Sequence, residues 1–94
     1  MKLCNDTILQ QRAALEAKGY ALPTFDRAAV TANTAARPEW VHFGAGNIFR
    51  AFIANLNQSL LNAGLVDTGI VVAEGFDAEI LDAAYRPFDN LSVL

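Results

Sequence analysis

The sequence predicts an α/β fold of the Rossmann-like, dinucleotide-binding kind, present in part as an N-terminal helix plus one βαβ unit. Two observations carry this. Trp40-Val41-His42-Phe43 is an apolar run that stops at Gly44 and resumes, past Gly46, as a helical pattern. A second apolar run, Gly69-Ile70-Val71-Val72-Ala73, follows that helix and ends on an acid, Glu74. Both runs are too short and too continuously apolar for amphipathic helices, and they fit parallel strands buried on both faces.

Between the runs, Gly44-Ala45-Gly46 has the spacing of a dinucleotide-binding turn. The first glycine permits the bend, and the second lets the backbone approach a pyrophosphate. The third glycine of the usual fingerprint is replaced by Phe49. The helix that follows offers its unpaired N–H groups and positive dipole end to phosphates, which makes Gly44, Ala45, Gly46, Asn47 and Ile48 candidate cofactor contacts. In that helix Ile48, Phe49, Phe52, Ile53, Leu56, Leu60 and Leu61 recur at three-to-four residue spacing, and Gly64 supplies a stop.

Arg50 is the cation nearest the turn and can hold phosphate oxygens; its other reading is a surface salt bridge. Glu74 is placed to accept hydrogen bonds from ribose hydroxyls and to repel a 2′-phosphate, which favours NAD over NADP; its other reading is a solvated strand end. Asp77 is the alternative acceptor and equally a helix cap. Phe76 either stacks on adenine or covers core. His42, inside an apolar strand, reads as a satisfied core histidine. Cys4 has no basic neighbour in sequence and reads as an inert thiol. No His, Cys or carboxylate cluster has metal-ligand spacing.

Elsewhere, Asn5 or Asp6 is expected to cap a helix reaching about Lys18, with Ile8, Leu9, Arg12 and Leu15 on one face and Gly19 at its end. Tyr20 to Glu39, with Pro23 and Pro38, reads as a connector holding one helical turn begun by Asp26. Asp77 caps an expected helix from Ala78 to Ala84 that ends before Tyr85-Arg86-Pro87, and Asn90 to Leu94 begins a possible third strand. These readings divide the chain into a helical arm and connector, residues 1–39, and the first part of a nucleotide-binding domain, residues 40–94.

The segment from His42 to Phe52, His-Phe-Gly-Ala-Gly-Asn-Ile-Phe-Arg-Ala-Phe, resembles the start of the polyol-specific long-chain dehydrogenase/reductase family, which is mannitol dehydrogenase- and fructuronate reductase-like. Upstream, Pro23-Thr24-Phe25-Asp26-Arg27 is similar to that family's Pro-x-Tyr-Asp-Arg leader, with Phe25 in place of tyrosine. Many members continue past the second glycine as x-Phe-His-Arg. Here the residues are Asn47-Ile48-Phe49-Arg50, so the arginine matches and the histidine does not.

The resemblance implies an NAD-dependent oxidoreductase that interconverts a sugar alcohol or aldonate and its keto form. Overall similarity favours fructuronate reductase (mannonate oxidoreductase), with mannitol 2-dehydrogenase next. It also implies that this chain is an N-terminal fragment, that the C-terminal substrate domain with its general-base lysine is absent, and that no catalytic residue lies within it. The fragment alone is then inactive, and its small-molecule sugar alcohol or sugar acid substrate belongs to the full-length parent. The alternative is a non-catalytic nucleotide-binding or assembly piece.

Composition narrows the partners. Seven Lys and Arg against ten Asp and Glu give a net charge of −3 with no basic block, which argues against nucleic acid and anionic membrane. No apolar run nears the roughly 18 residues that span a bilayer. The N-terminus lacks the apolar core of a signal peptide, and one cysteine suits a reducing compartment, so a cytoplasmic location is expected. Open strand edges and uncovered apolar faces make self-association of the fragment an expectation as well.

Overall fold

A computed structural model describes residues 2–93, which form two compact units. One comprises the chain up to Leu22 together with the chain from Ala78 onward; the other is Pro23–Asp77.

In the first unit, helix α1 (Asn5–Ala17) begins earlier than a cap at Asn5 or Asp6 would have it, because the residue at the cap position is Cys4, in extended conformation. The Asn5 N–H is instead taken by a carboxylate distant in sequence, Asp89 Oδ2 at 3.0 Å, while Asp6 lies in the first turn where the helix dipole favours a negative charge. Gly19 (φ +92°) ends the helix as expected: its N–H bonds Glu16 O and the Tyr20 N–H reaches back to Leu15 O, a Schellman closure. Ile8 is buried, with Arg12 and Leu15 half-buried beside it, but Leu9 points to solvent.

The returning chain is helical from residue 79, wound as a π-helix over Leu81–Tyr85 and as a 3-10 turn over Arg86–Phe88. The helix thus runs into the segment expected to stop it. Asp89 and Asn90 both adopt left-handed backbone, closed by Asn90 N–H to Tyr85 O at 3.0 Å. Tyr85 and Leu91 are buried here. No strand forms at residues 91–93; Leu94, the last residue of the expected third strand, lies outside the described residues.

In the second unit, Asp26 does start a helix, its Oδ1 accepting from Ala29 N–H at 3.1 Å, but α2 runs for ten residues, Arg27–Ala36, rather than one turn. Half of those residues are alanines, which favour helix without an apolar stripe. The face that α2 uses is polar: Thr34 Oγ1 accepts from Gly69 N–H at 2.7 Å, Asn33 Nδ2 donates to Asp67 O at 3.0 Å, and Arg37 pairs with Asp67 at 2.9 Å. Hydrophobic periodicity therefore gave no sign of it.

Strands β1 (Val41–Phe43) and β2 (Val71–Ala73) pair in parallel, Val41 with Val71, His42 with Val72 and Phe43 with Ala73. The chain between them is helical from residue 47, wound as a π-helix over Phe49–Ala54 and continuing as α3 (Asn55–Asn62). Gly64 (φ +73°) closes it with a second Schellman pattern, Gly64 N–H to Leu61 O and Leu65 N–H to Leu60 O. Strand, glycine turn, helix and parallel strand are all present.

Burial differs from expectation on the strands. His42 and Val72 are half-buried, whereas Val41, Phe43, Val71 and Ala73, on the opposite face of the pleat, are exposed. The helix likewise turns in Phe49, Ile53, Asn57 and Leu61, a strict interval of four, and leaves Ile48, Phe52 and Leu56 outside. A π-wound stretch completes each turn with more residues than an α-helix, which keeps an i+4 series on one side. The exposed apolar side chains are expected to drive concentration-dependent self-association of the 94-residue chain. Sedimentation over a wide concentration range checks this, and a monomer throughout would contradict it.

Candidate functional site

The carboxyl ends of β1 and β2 open into a cleft of about 350 Å³ lined by Phe43, Gly44, Ala73, Glu74, Gly75 and Phe76. A cleft at the carboxyl ends of parallel strands is where open α/β sheets bind ligands. Both aromatic rings at its rim are exposed, Phe43 at 81% and Phe76 fully.

The glycine turn forms one wall. Gly44 adopts φ +103°, a backbone conformation that a side chain disfavours, and its N–H continues the strand pairing to Ala73 O at 2.7 Å. Its carbonyl lies 3.0 Å from His42 Nδ1. Because a carbonyl can only accept, that ring nitrogen carries the proton. The imidazole also packs on Phe49, centroid to centroid 4.7 Å at 43°, so His42 is a satisfied structural side chain.

Ala45 is completely buried, and side chains from both flanks hold its peptide groups. The Ala45 N–H donates to Glu74 Oε1 at 2.9 Å, and the Ala45 carbonyl accepts from Arg50 Nη1 at 3.2 Å. Arg50 Nη2 also bonds the Asn47 side-chain oxygen, and the Arg50 N–H takes the Gly46 carbonyl at 3.2 Å.

Gly46 is different from Gly44. Its φ is not positive, and a Cβ built on it meets nothing within 4 Å. Neither backbone strain nor packing among the described residues requires a glycine there.

Glu74 closes the opposite wall. Besides Ala45 N–H, its carboxylate accepts from Phe76 N–H at 3.1 Å and Asp77 N–H at 3.3 Å through Oε2. These amides, Ala45 foremost, hold the carboxyl below the ordinary glutamate range by stabilising its charged form. A lowered folded-state pKa contributes stability that is complete above the unfolded value and lost as pH falls through the folded one. Urea midpoints followed from neutral pH into the acid range are therefore expected to separate the wild type from Glu74→Gln near neutrality and to converge in acid. Parallel curves would show that the amide contacts contribute nothing to folding.

The site residues expected from the sequence are thus partly brought together. Ala45, Asn47, Arg50 and Glu74 form one hydrogen-bonded set around the turn, and Gly44 joins the turn to β2 through Ala73. Ile48 stands exposed at the first turn of the helix, and Asp77 enters only through its backbone N–H, the helical residues beyond it starting at 79 rather than Ala78. Phe43 and Gly75 also line the cleft, although nothing in the periodicity marked them; their places directly before the turn and directly after Glu74 were the available signal. In the other unit, the Thr7 hydroxyl lies 3.1 Å from the Cys4 sulfur and draws its pKa down. Among the described residues no group of three or more His, Cys, Asp or Glu is placed to hold a metal ion, and no helix is long and apolar enough to cross a membrane.

No family model and no solved structure matches the chain. A curated protein does: a D-mannonate oxidoreductase from Thermotoga maritima is 52% identical over 93 residues, which is 99% of this chain and 17% of that relative's length. At that identity over nearly its full extent, the chain matches one segment of this D-mannonate oxidoreductase, in agreement with the resemblance of its motifs to the fructuronate reductase and mannitol dehydrogenase-like family.

Proposed function

We propose that this chain is the nucleotide-holding segment of a sugar-acid oxidoreductase, taking NAD in a Rossmann-like site and serving the interconversion of an aldonate such as mannonate with its keto form. The observation that carries the reading is Gly46: a glycine that neither φ nor packing requires, in a turn whose other peptide groups are fixed by side chains. An approaching pyrophosphate is what such a position accommodates. The N–H groups of Asn47 and Ile48, in the first turn of the helix, have no carbonyl four residues back within it and face the role of phosphate donors. Gly44 and Ala45 shape the turn for them. Glu74, already held in its charged form, is the ribose acceptor at the mouth of the cleft, with Asp77 next to it.

When bound, NAD supplies the hydride chemistry. The residues of this chain position it; none of them is assigned a proton-transfer role. The 52% identity to the Thermotoga enzyme supports the substrate class.

Two glycine substitutions test the site. Gly44→Ala forces a side chain into φ +103° and is expected to cost about 1–3 kcal/mol of stability. Gly46→Val is expected to leave folding within about 0.5 kcal/mol of wild type, as substitutions away from packed or strained positions do. It should nevertheless abolish the amide shifts of Asn47 and Ile48 that NADH induces on titration of the wild-type chain. NADH-induced shifts that survive Gly46→Val, or that fall elsewhere in the chain, would refute the placement.

A further inference from the structure

We infer that Arg50 is a positioning residue for the nucleotide turn, acting through the Ala45 peptide rather than as a ligand of the phosphates. The inference rests on the proposed nucleotide site and adds to it how the turn is kept in its binding shape.

The geometry is specific. One amine of the Arg50 guanidinium donates to the Ala45 carbonyl at 3.2 Å while the other is bonded to the Asn47 side chain. On the other side of the same residue, Glu74 Oε1 takes the Ala45 N–H at 2.9 Å. A cation from the crossover helix and an anion from the end of β2 therefore grip the two peptide groups of one buried residue between the two glycines.

Glycines on both sides leave that backbone with more freedom than any other residue pair would, and an unheld turn loses entropy each time it binds a ligand. Arg50 and Glu74 meet that cost in the folded chain. A planar guanidinium suits the task because it presents two donors in a fixed fork, one for the turn and one for the Asn47 side chain that orients it.

This role and a phosphate-ligand role predict different salt behaviour. A cation touching a phosphate weakens binding when removed, and the loss shrinks as salt screens the charge. A bond to a neutral carbonyl is indifferent to salt.

The test compares the wild-type chain with Arg50→Met and, as a milder variant that leaves the guanidinium in place, Asn47→Ala. Circular dichroism first establishes that each is folded. Amide hydrogen exchange at Ala45 is expected to accelerate about tenfold or more in Arg50→Met and by a smaller factor in Asn47→Ala, with exchange in α1 unchanged. NADH affinity should fall about tenfold in Arg50→Met, by the same factor at low and high salt. Unchanged Ala45 exchange in Arg50→Met overturns the inference, as does a loss of NADH affinity that disappears at high salt. Failure of the wild-type chain to bind NADH would refute the nucleotide site instead, while Ala45 exchange still decides what Arg50 does to the turn.

Discussion

The 94-residue chain by itself is expected to show no oxidation of NADH with fructuronate, whereas the Thermotoga relative carrying this chain in place of its own matching 93-residue segment is expected to be active. The chain brings two paired strands and the turn between them, while a dinucleotide site draws on about six strands and hydride transfer needs a group to take the hydroxyl proton. Positioning of reactants can contribute up to about 7–11 kcal/mol of barrier reduction, and that contribution requires cofactor and substrate to be held together. A folded graft without turnover would mean that the segment does not do in this chain what it does in the relative, leaving a non-catalytic nucleotide-binding or assembly role. Turnover by the isolated chain would place the proton acceptor within these residues, contrary to the assignment.

Replacing Glu74 in that grafted enzyme has the next largest expected effect. Glu74→Ala removes both the proposed ribose acceptor and the carboxylate that takes the Ala45 N–H, so NADH affinity should fall about tenfold or more. NADPH affinity should fall less, because the same change removes a negative charge facing the 2′-phosphate. Glu74→Gln separates the contributions: its amide oxygen still accepts from Ala45, so the turn remains held while the charge is gone. The expected result for Glu74→Gln is a narrowed preference for NADH with a smaller loss of affinity. Equal and unchanged affinities in both variants would remove Glu74 from the cofactor site and move the same test to Asp77.

Most of what the motifs describe was legible before any coordinates. The order strand, glycine turn, helix, parallel strand, acid is written into residues 40–74, since a strand, a helix and the bend between them each have a local chemistry: β-branched runs, three-to-four residue spacing, and glycines where φ turns positive. Gly19 and Gly64 ended their helices for the same local reason. The resemblance to the family was legible in the same short motifs, and the 52% identity over nearly the whole chain supports it.

Features that depend on partners far away in sequence were not legible. The extent of α2 is fixed by polar bonds to Gly69 and Asp67, across more than thirty residues, and alanine-rich sequence carries no stripe to reveal them. The first turn of α1 is held by Asp89, so a reading of Asn5 and Asp6 alone put the cap in the wrong place. Sequence by itself determined that Gly44, Ala45 and Gly46 form a turn and that Glu74 ends the neighbouring strand. Only the tertiary structure decided that Glu74 and Arg50 hold the two peptide groups of the same residue, Ala45, because parallel pairing of β1 with β2 sets the end of one strand beside the turn of the other, and that proximity is a property of the register and of no local sequence.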